Sequence, residues 1–385
     1  MADDSILEDD YLEPYSRGPT DKCNESPLSI TLDVIGHFMK TLIKPKVLRP
    51  GDKVATISLS WGAAGEIPHR YQTGKRQLED NFGVRVIETK NALKSADWLY
   101  KNPQARADDL MEAFLDNSIK AIFSNIGGED SIRILPYIDL SIITKNPKIF
   151  LGFSDSTITH LTCYKAGLTS FYGTSILVGF AENGGMFQYQ IDDIKRTLFS
   201  SNPIGPIPPN GNGWTSERLE WTDESLANQK RKLTQSNGWN FLQGATEVQG
   251  KLIGGCIDVL EFLKSTEYWF NPSDWEATIL FLETSEVMML PMNFKWIIWN
   301  YAAQGIFHKI KAIILGRPYD NKYTEEYNKI LLQIVRDELQ LTELPIVTEM
   351  NFGHTSPTFT IPYGLTAEIN CKQKSFSIIE SAVID

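Results

Sequence analysis

The chain has 385 residues, 42% of them hydrophobic and 22% charged, with a formal net charge of −11. That balance is globular and long enough for two cores, and the negative charge argues against a general nucleic-acid binder. No apolar run reaches membrane-spanning length, no basic leader opens the chain, and the four cysteines (Cys23, Cys163, Cys256, Cys371) form no C-x-x-C pair. A membrane protein, a disulfide framework and a zinc cluster are therefore not expected; a cytoplasmic protein is.

Residues 1–38 hold nine acids against two bases, so −7 of the net charge lies there. They read as an acidic extension, poorly ordered or docked as a helix, and are expected to be dispensable. Met39 then opens what looks like a natural protein start.

From Lys53 strands and helices alternate. Strands are expected at Val54–Leu59, Val84–Glu88, Ala121–Ile126 and Ile149–Phe153. Helices fall between and after them, at Tyr71–Asn81, Ala105–Asp116, Ser131–Tyr137 and Thr157–Ala166. Ala107, Leu110, Met111 and Phe114 share one helix face. This alternation predicts a parallel sheet covered on both faces, a Rossmann- or flavodoxin-like α/β domain over residues 39–200.

Past Ser200, prolines and glycines cluster, followed by Trp214, Trp221 and Trp239. Residues 201–250 read as a linker and recognition loop. From 251 to 385 the pattern predicts helices at Cys256–Lys264, Met292–Ala303 and Glu325–Asp337. Strands are expected at Thr278–Glu283, Lys311–Leu315, Ile346–Met350, Thr358–Pro362, Thr366–Asn370 and Ser375–Ile379. A second, α+β domain with a largely antiparallel sheet is expected.

Ser154 is the residue most charged with chemical meaning. In Gly152-Phe-Ser154-Asp155-Ser156 it stands where an apolar run meets a helix, the place where nucleophilic hydrolases expose a serine. Ser156 replaces the second glycine of G-x-S-x-G, and the same pair also reads as a helix N-cap. A nucleophilic serine needs a base and an orienting acid. Of the five histidines, His37 lies in the extension, His160 on the helix after Ser154 and His69 in a polar stretch. His308 looks like a helix C-cap. His354, in Asn351-Phe-Gly353-His354-Thr-Ser-Pro357, sits in a tight loop after a strand and suits the base, though it also reads as an ordinary loop histidine. Glu283 ends an apolar strand and suits the acid, with Glu286 competing. The turn Gly127-Gly128 after a strand could let backbone N–H groups meet an oxyanion or phosphate, as could Gly254-Gly255; both also read as plain turns.

Taken in order, these segments resemble the LD-carboxypeptidase family of serine peptidases, and within it the microcin C self-immunity subgroup. The matching stretches are Ile43–Asp52, Arg106–Leu110, Gly127-Gly128, Gly152–Asp155, Leu252–Gly255, Leu280–Glu283 and Phe352–His354 with Pro357. The resemblance implies Ser154 as nucleophile, His354 as base and Glu283 as orienting acid. It implies an oxyanion hole from the N–H of Asp155 and of Gly127 or Gly128, no metal or other cofactor, and a homodimer. By the same resemblance Trp214 would stack on a nucleobase, and the substrate would be a small peptidyl- or aminoacyl-nucleotide rather than a nucleic-acid polymer. Four positions depart from the subgroup. Cys256 stands where asparagine is usual, Val287 where a lysine is expected, and Glu129-Asp130 place two acids beside the turn.

The alternatives are an LD-carboxypeptidase of muropeptide recycling, a non-catalytic small-ligand binder between two α/β domains, and a nucleotide-dependent transferase. The last finds neither G-x-G-x-x-G nor a P-loop in its support.

Overall fold

The structure, a computed structural model, describes residues 41–385; the acidic extension, with Cys23 and His37, lies outside them. Strands β1 (Lys53–Ile57), β2 (Arg85–Glu88), β3 (Ile119–Ser124), β4 (Ile149–Gly152) and β5 (Phe171–Tyr172) form a parallel sheet in the order β2-β1-β3-β4-β5. This is the flavodoxin-like order, whose ligand crevice opens at the carboxyl ends of the strands. Alternate strand residues enter two separate cores. Val54, Ala121, Phe123 and Leu151 pack on one side; Ala55, Ile57, Ile122 and Phe150 pack on the other. A sheet buried on both faces needs apolar residues in succession, and that is why these strands read as runs rather than alternations.

The second sheet takes β6 (Gly205–Ile207), β7 (Asn240–Gln243), β8 (Glu247–Cys256), β9 (Thr278–Glu283), β10 (Ala312–Gly316) and β11 (Ile346–Met350). After β12 (Ile361–Pro362), β13 (Thr366–Asn370) and β14 (Ser375–Ile378) complete it, in the order β6-β14-β13-β8-β9-β10-β11-β7. The sheet is mixed. Its centre, β8 to β11, is parallel, and the antiparallel pairs expected from the sequence lie on its flanks. Helices Ile257–Leu263, Pro291–Ala303 and Thr324–Leu331 fall between the parallel strands. Such crossovers allow parallel neighbours.

β12 does not join that sheet. It pairs antiparallel with β5 in the first one, Ile361 opposite Tyr172. The segment after His354 is thereby stitched to the sheet that carries Ser154. Among the described residues no helix is long and apolar enough to cross a membrane.

Candidate active site

β4 delivers the serine. Phe153 is extended, and Ser154 then takes φ 60°. This left-handed conformation costs a non-glycine residue about 1 kcal/mol or more. Such strain persists only where surrounding contacts hold it, and it is concentrated at functional sites. Here Tyr172 Oη accepts the Ser154 N–H at 3.0 Å, and Thr157 Oγ1 donates to the Ser154 carbonyl at 2.7 Å. The hydroxyl is left for other partners. The helix Thr157–Lys165 follows through one 3-10 turn.

His354 Nε2 lies 3.0 Å from Ser154 Oγ, and its Nδ1 lies 2.6 Å from Glu283 Oε2. Ser154, His354 and Glu283 come from positions 200 and 71 residues apart in sequence. Glu283 ends β9 and is fully buried. Tyr172 Oη donates to its second oxygen. The histidine loop can approach only because residue 353 is glycine. Its φ is +94°, and a Cβ there would stand 2.7 Å from Glu283 Oε2.

Glu286, the competitor for the acid position, takes a different place. Its carboxylate lies 2.9 Å from His354 Nε2, on the other side of the ring from Glu283. Burial pushes the imidazole toward neutrality, but the two carboxylates outweigh it and hold its pKa up at about 10. The hydrogen bond to His354 pushes Glu286 down to about 2.

The turn at 127–128 abuts the serine. A side chain on Gly127 would stand 3.2 Å from Ser154 Oγ and 3.3 Å from Asp155 N. Gly128, with φ +146°, presses instead on Ser60, whose Oγ would lie 2.2 Å from a Cβ. Asp155 is buried. Desolvation raises its carboxyl pKa, and its Oδ2 accepts the Ser131 N–H at 2.9 Å. Asp130 is not a bare charge. The fully buried Arg106 grips it at 2.8 and 3.1 Å and Arg133 adds a bond at 2.8 Å. Burial works against ionisation there, but these guanidiniums hold the carboxyl below its usual range. Gly254 and Gly255 lie in β8, packed against Phe281 and Thr157 rather than cradling an anion.

Trp214, expected to face a base, is 7% exposed, lies under the Arg317 guanidinium at 5.0 Å from its ring centre, and is not among the residues that line the cleft. Its backbone pairs with Thr234, and the next residue, Thr215, pairs with Ser356 near the histidine. Packing the loop down buries this ring. Trp221 is the tryptophan of that loop that lines the cleft, beside Trp61, with ring centres 6.4 Å apart and planes at 16°. Arg70 covers Trp221 at 4.1 Å.

Two other described histidines are held elsewhere. His160 is fully buried between Ser170 Oγ and Gly152 O, and desolvation drives its pKa down to about 3. His69 bonds the Trp221 carbonyl at 2.9 Å. Cys163, Cys256 and Cys371 are buried free thiols. Among the described residues no three His, Cys, Asp or Glu side chains group as a metal site would require.

Sequence reasoning missed Tyr172 and Trp61. Tyr172 sits in a two-residue strand, too short for a periodic signal. Trp61 stands in the loop just beyond β1, at the carboxyl edge where α/β sites gather, so its place is a usable sign. Ser154, His354, Glu286, Trp61 and Trp221 all line one cleft of about 1050 Å³. Its size suits a ligand larger than a single amino acid.

The model of the LD-carboxypeptidase N-terminal domain matches residues 54–173, and that of the C-terminal domain matches 249–369. The microcin C7 self-immunity protein MccF of Escherichia coli is 26% identical, over 86% of this chain and 94% of its own. A probable murein peptide carboxypeptidase of Bacillus subtilis is also 26% identical, over 88% and 95%. The crystal structure of an MccF-like protein from Streptococcus pneumoniae in complex with AMP superposes with a TM-score of 0.78. It is 32% identical and covers 86% of this chain and 99% of its own. With the parallel sheet, the strained serine and the matched models in agreement, the chain belongs to the LD-carboxypeptidase family.

Proposed function

We propose that the protein is a serine carboxypeptidase or amidase that hydrolyses the amide joining an aminoacyl or peptidyl group to a nucleotide. The observation that carries this reading is the unbroken hydrogen-bonded line from Ser154 Oγ through His354 to Glu283, at 3.0 and 2.6 Å. In the reaction Ser154 Oγ attacks the carbonyl carbon while neutral His354 takes its proton at Nε2. Glu283 accepts from Nδ1, fixes the tautomer and steadies the imidazolium. The backbone N–H groups of Asp155 and of the Gly127-Gly128 turn receive the oxyanion. His354 then protonates the leaving amine, and water, activated by the same ring, releases the acyl group from Ser154.

The nucleotide part of the reading draws on the AMP held by the Streptococcus pneumoniae relative and on the aromatic wall of Trp61 and Trp221. Stacking of a base on such a wall is worth about 1–3 kcal/mol. Arg70 and Arg231 border the same cleft, Arg231 paired with Glu182, and offer guanidinium groups to an anionic linker. A homodimer, a cytoplasmic location, the absence of a cofactor and the division near residues 200 and 250 belong to the same proposal.

Muropeptide cleavage is the second reading. It is favoured by Val287, exposed at the cleft where a phosphate-binding lysine was expected, and by the murein peptide relative. A side-by-side assay separates the two. It offers an aminoacyl sulfamoyl adenosine and an L,D-linked muropeptide; cleavage of the muropeptide alone would overturn the nucleotide reading. A simple ligand binder would have no use for the hydrogen-bonded line of Ser154, His354 and Glu283.

A further inference from the structure

Two oxygens compete for one nitrogen of His354. Nε2 lies 3.0 Å from Ser154 Oγ and 2.9 Å from the Glu286 carboxylate, while Nδ1 lies 2.6 Å from Glu283. Nε2 is hydrogen-bonded to Ser154 Oγ and has Glu286 beside it as an ion-pair contact, and with a carboxylate at each nitrogen the protonated ring is favoured. Protonated, the ring has no lone pair for the serine proton. The geometry for attack is assembled, and the base is occupied.

The groups around this ring differ in how firmly they are held. Glu283 is fully buried, with Tyr172 and Cys256 beside it. Glu286 has a side chain 46% exposed, on the loop between β9 and the helix Pro291–Ala303, where Val287 and Leu290 are exposed as well. Arg218 and Tyr319, both lining the cleft, are the groups that face it there. Glu286 is thus the carboxylate that can leave. A cation entering the cleft draws it off Nε2, and the ring proton then passes to solvent. An acyl group with a free α-ammonium brings such a cation two bonds from the carbonyl carbon that Ser154 attacks.

We propose that Glu286 is a specificity-determining residue, capping His354 Nε2 until substrate binds and then moving onto the free ammonium of the acyl group. This rests on the serine-hydrolase reading and adds a substrate class: aminoacyl groups whose α-amine is unblocked, since a peptidyl group has that nitrogen acylated.

The test compares an aminoacyl sulfamoyl adenosine with its N-acetylated form, using wild type, Glu286→Gln and Glu286→Asp across pH 6–10. Wild type should prefer the free amine roughly tenfold or more, a usual size for one charge contact near a reacting centre. In Glu286→Gln the preference should fall to about twofold, and the acid limb for the acetylated substrate should move down by about one pH unit or more. Glu286→Asp should restore part of the preference. Equal cleavage of both substrates by wild type, or a preference kept by Glu286→Gln, overturns the proposal. Fluorophosphonate labelling runs in parallel. If wild-type Ser154 labels at no pH, the hydrolase reading itself fails and takes the latch with it; labelling without amine preference removes the latch alone.

Discussion

Tyr172 Oη accepts the main-chain N–H of Ser154 at 3.0 Å and donates its own proton to Glu283. One buried hydroxyl thus ties the strained serine to the acid of the same line. Burial, with Glu283 adding to it, raises the phenol pKa well above its usual value, so Tyr172 stays a donor. Its strand is held by β12, which follows the histidine loop. The three side chains are therefore positioned through one residue as well as through each other.

Tyr172→Phe should leave the Ser154 N–H and one Glu283 oxygen without this partner. An unsatisfied buried group costs about 1–3 kcal/mol. We expect a melting temperature several degrees lower and kcat reduced roughly 10- to 100-fold, since small misplacements of reacting groups have effects of that size. Unchanged kcat with an intact fold would show that Tyr172 only fills space.

The two tryptophans of the long loop should separate stability from binding. Trp214→Ala removes a buried ring and should destabilise the protein by about 3–5 kcal/mol. Trp221→Ala empties part of the cleft wall and should raise KM for a nucleotide substrate about tenfold, within the usual range of base stacking, with little change in melting. The opposite pattern in calorimetry and kinetics would restore Trp214 as the stacking residue.

The His354–Glu286 pair carries a pH signature. The imidazole pKa is raised to about 10, so its contribution to stability is complete below the ordinary value near 6.5 and is lost as pH rises through about 10. Glu286 is lowered to about 2, so its contribution is complete above about 4.5 and is lost as pH falls through about 2. Wild type should therefore exceed Glu286→Gln in melting temperature most clearly near pH 5.5. The gap should close toward pH 10, which thermal scans at the two pH values would check.

How much of this was legible beforehand depended on where the physical signal lay. β9 is a buried apolar run closed by Glu283, and β11 is largely buried; both span the residues that the sequence pattern predicts, and Ser154, Glu283 and His354 stand at or just past such strand ends. β5 has two residues, and β6 contains Pro206, so neither offers a period to detect. Gln188–Leu198 is a helix that the sequence pattern does not announce. Its one strip of buried Ile191, Ile194 and Leu198 is diluted by polar neighbours. Composition cannot say which of two nearby tryptophans, Trp214 or Trp221, a loop turns inward. That choice is made by the backbone pairing of Trp214 with Thr234 and of Thr215 with Ser356, contacts distant in sequence. Glu286 was visible as an acid near the strand end, but its position opposite Glu283 across the imidazole is a property of the folded loop alone.

The most direct test of the central claim is intact-mass and peptide mapping after treatment with a fluorophosphonate, on wild type and Ser154→Ala. A single adduct on Ser154 in wild type and none in Ser154→Ala is the expected result, with amide hydrolysis reduced in the variant by a factor on the order of 10⁶. An adduct on another residue, or hydrolysis at the wild-type rate by Ser154→Ala, would contradict it.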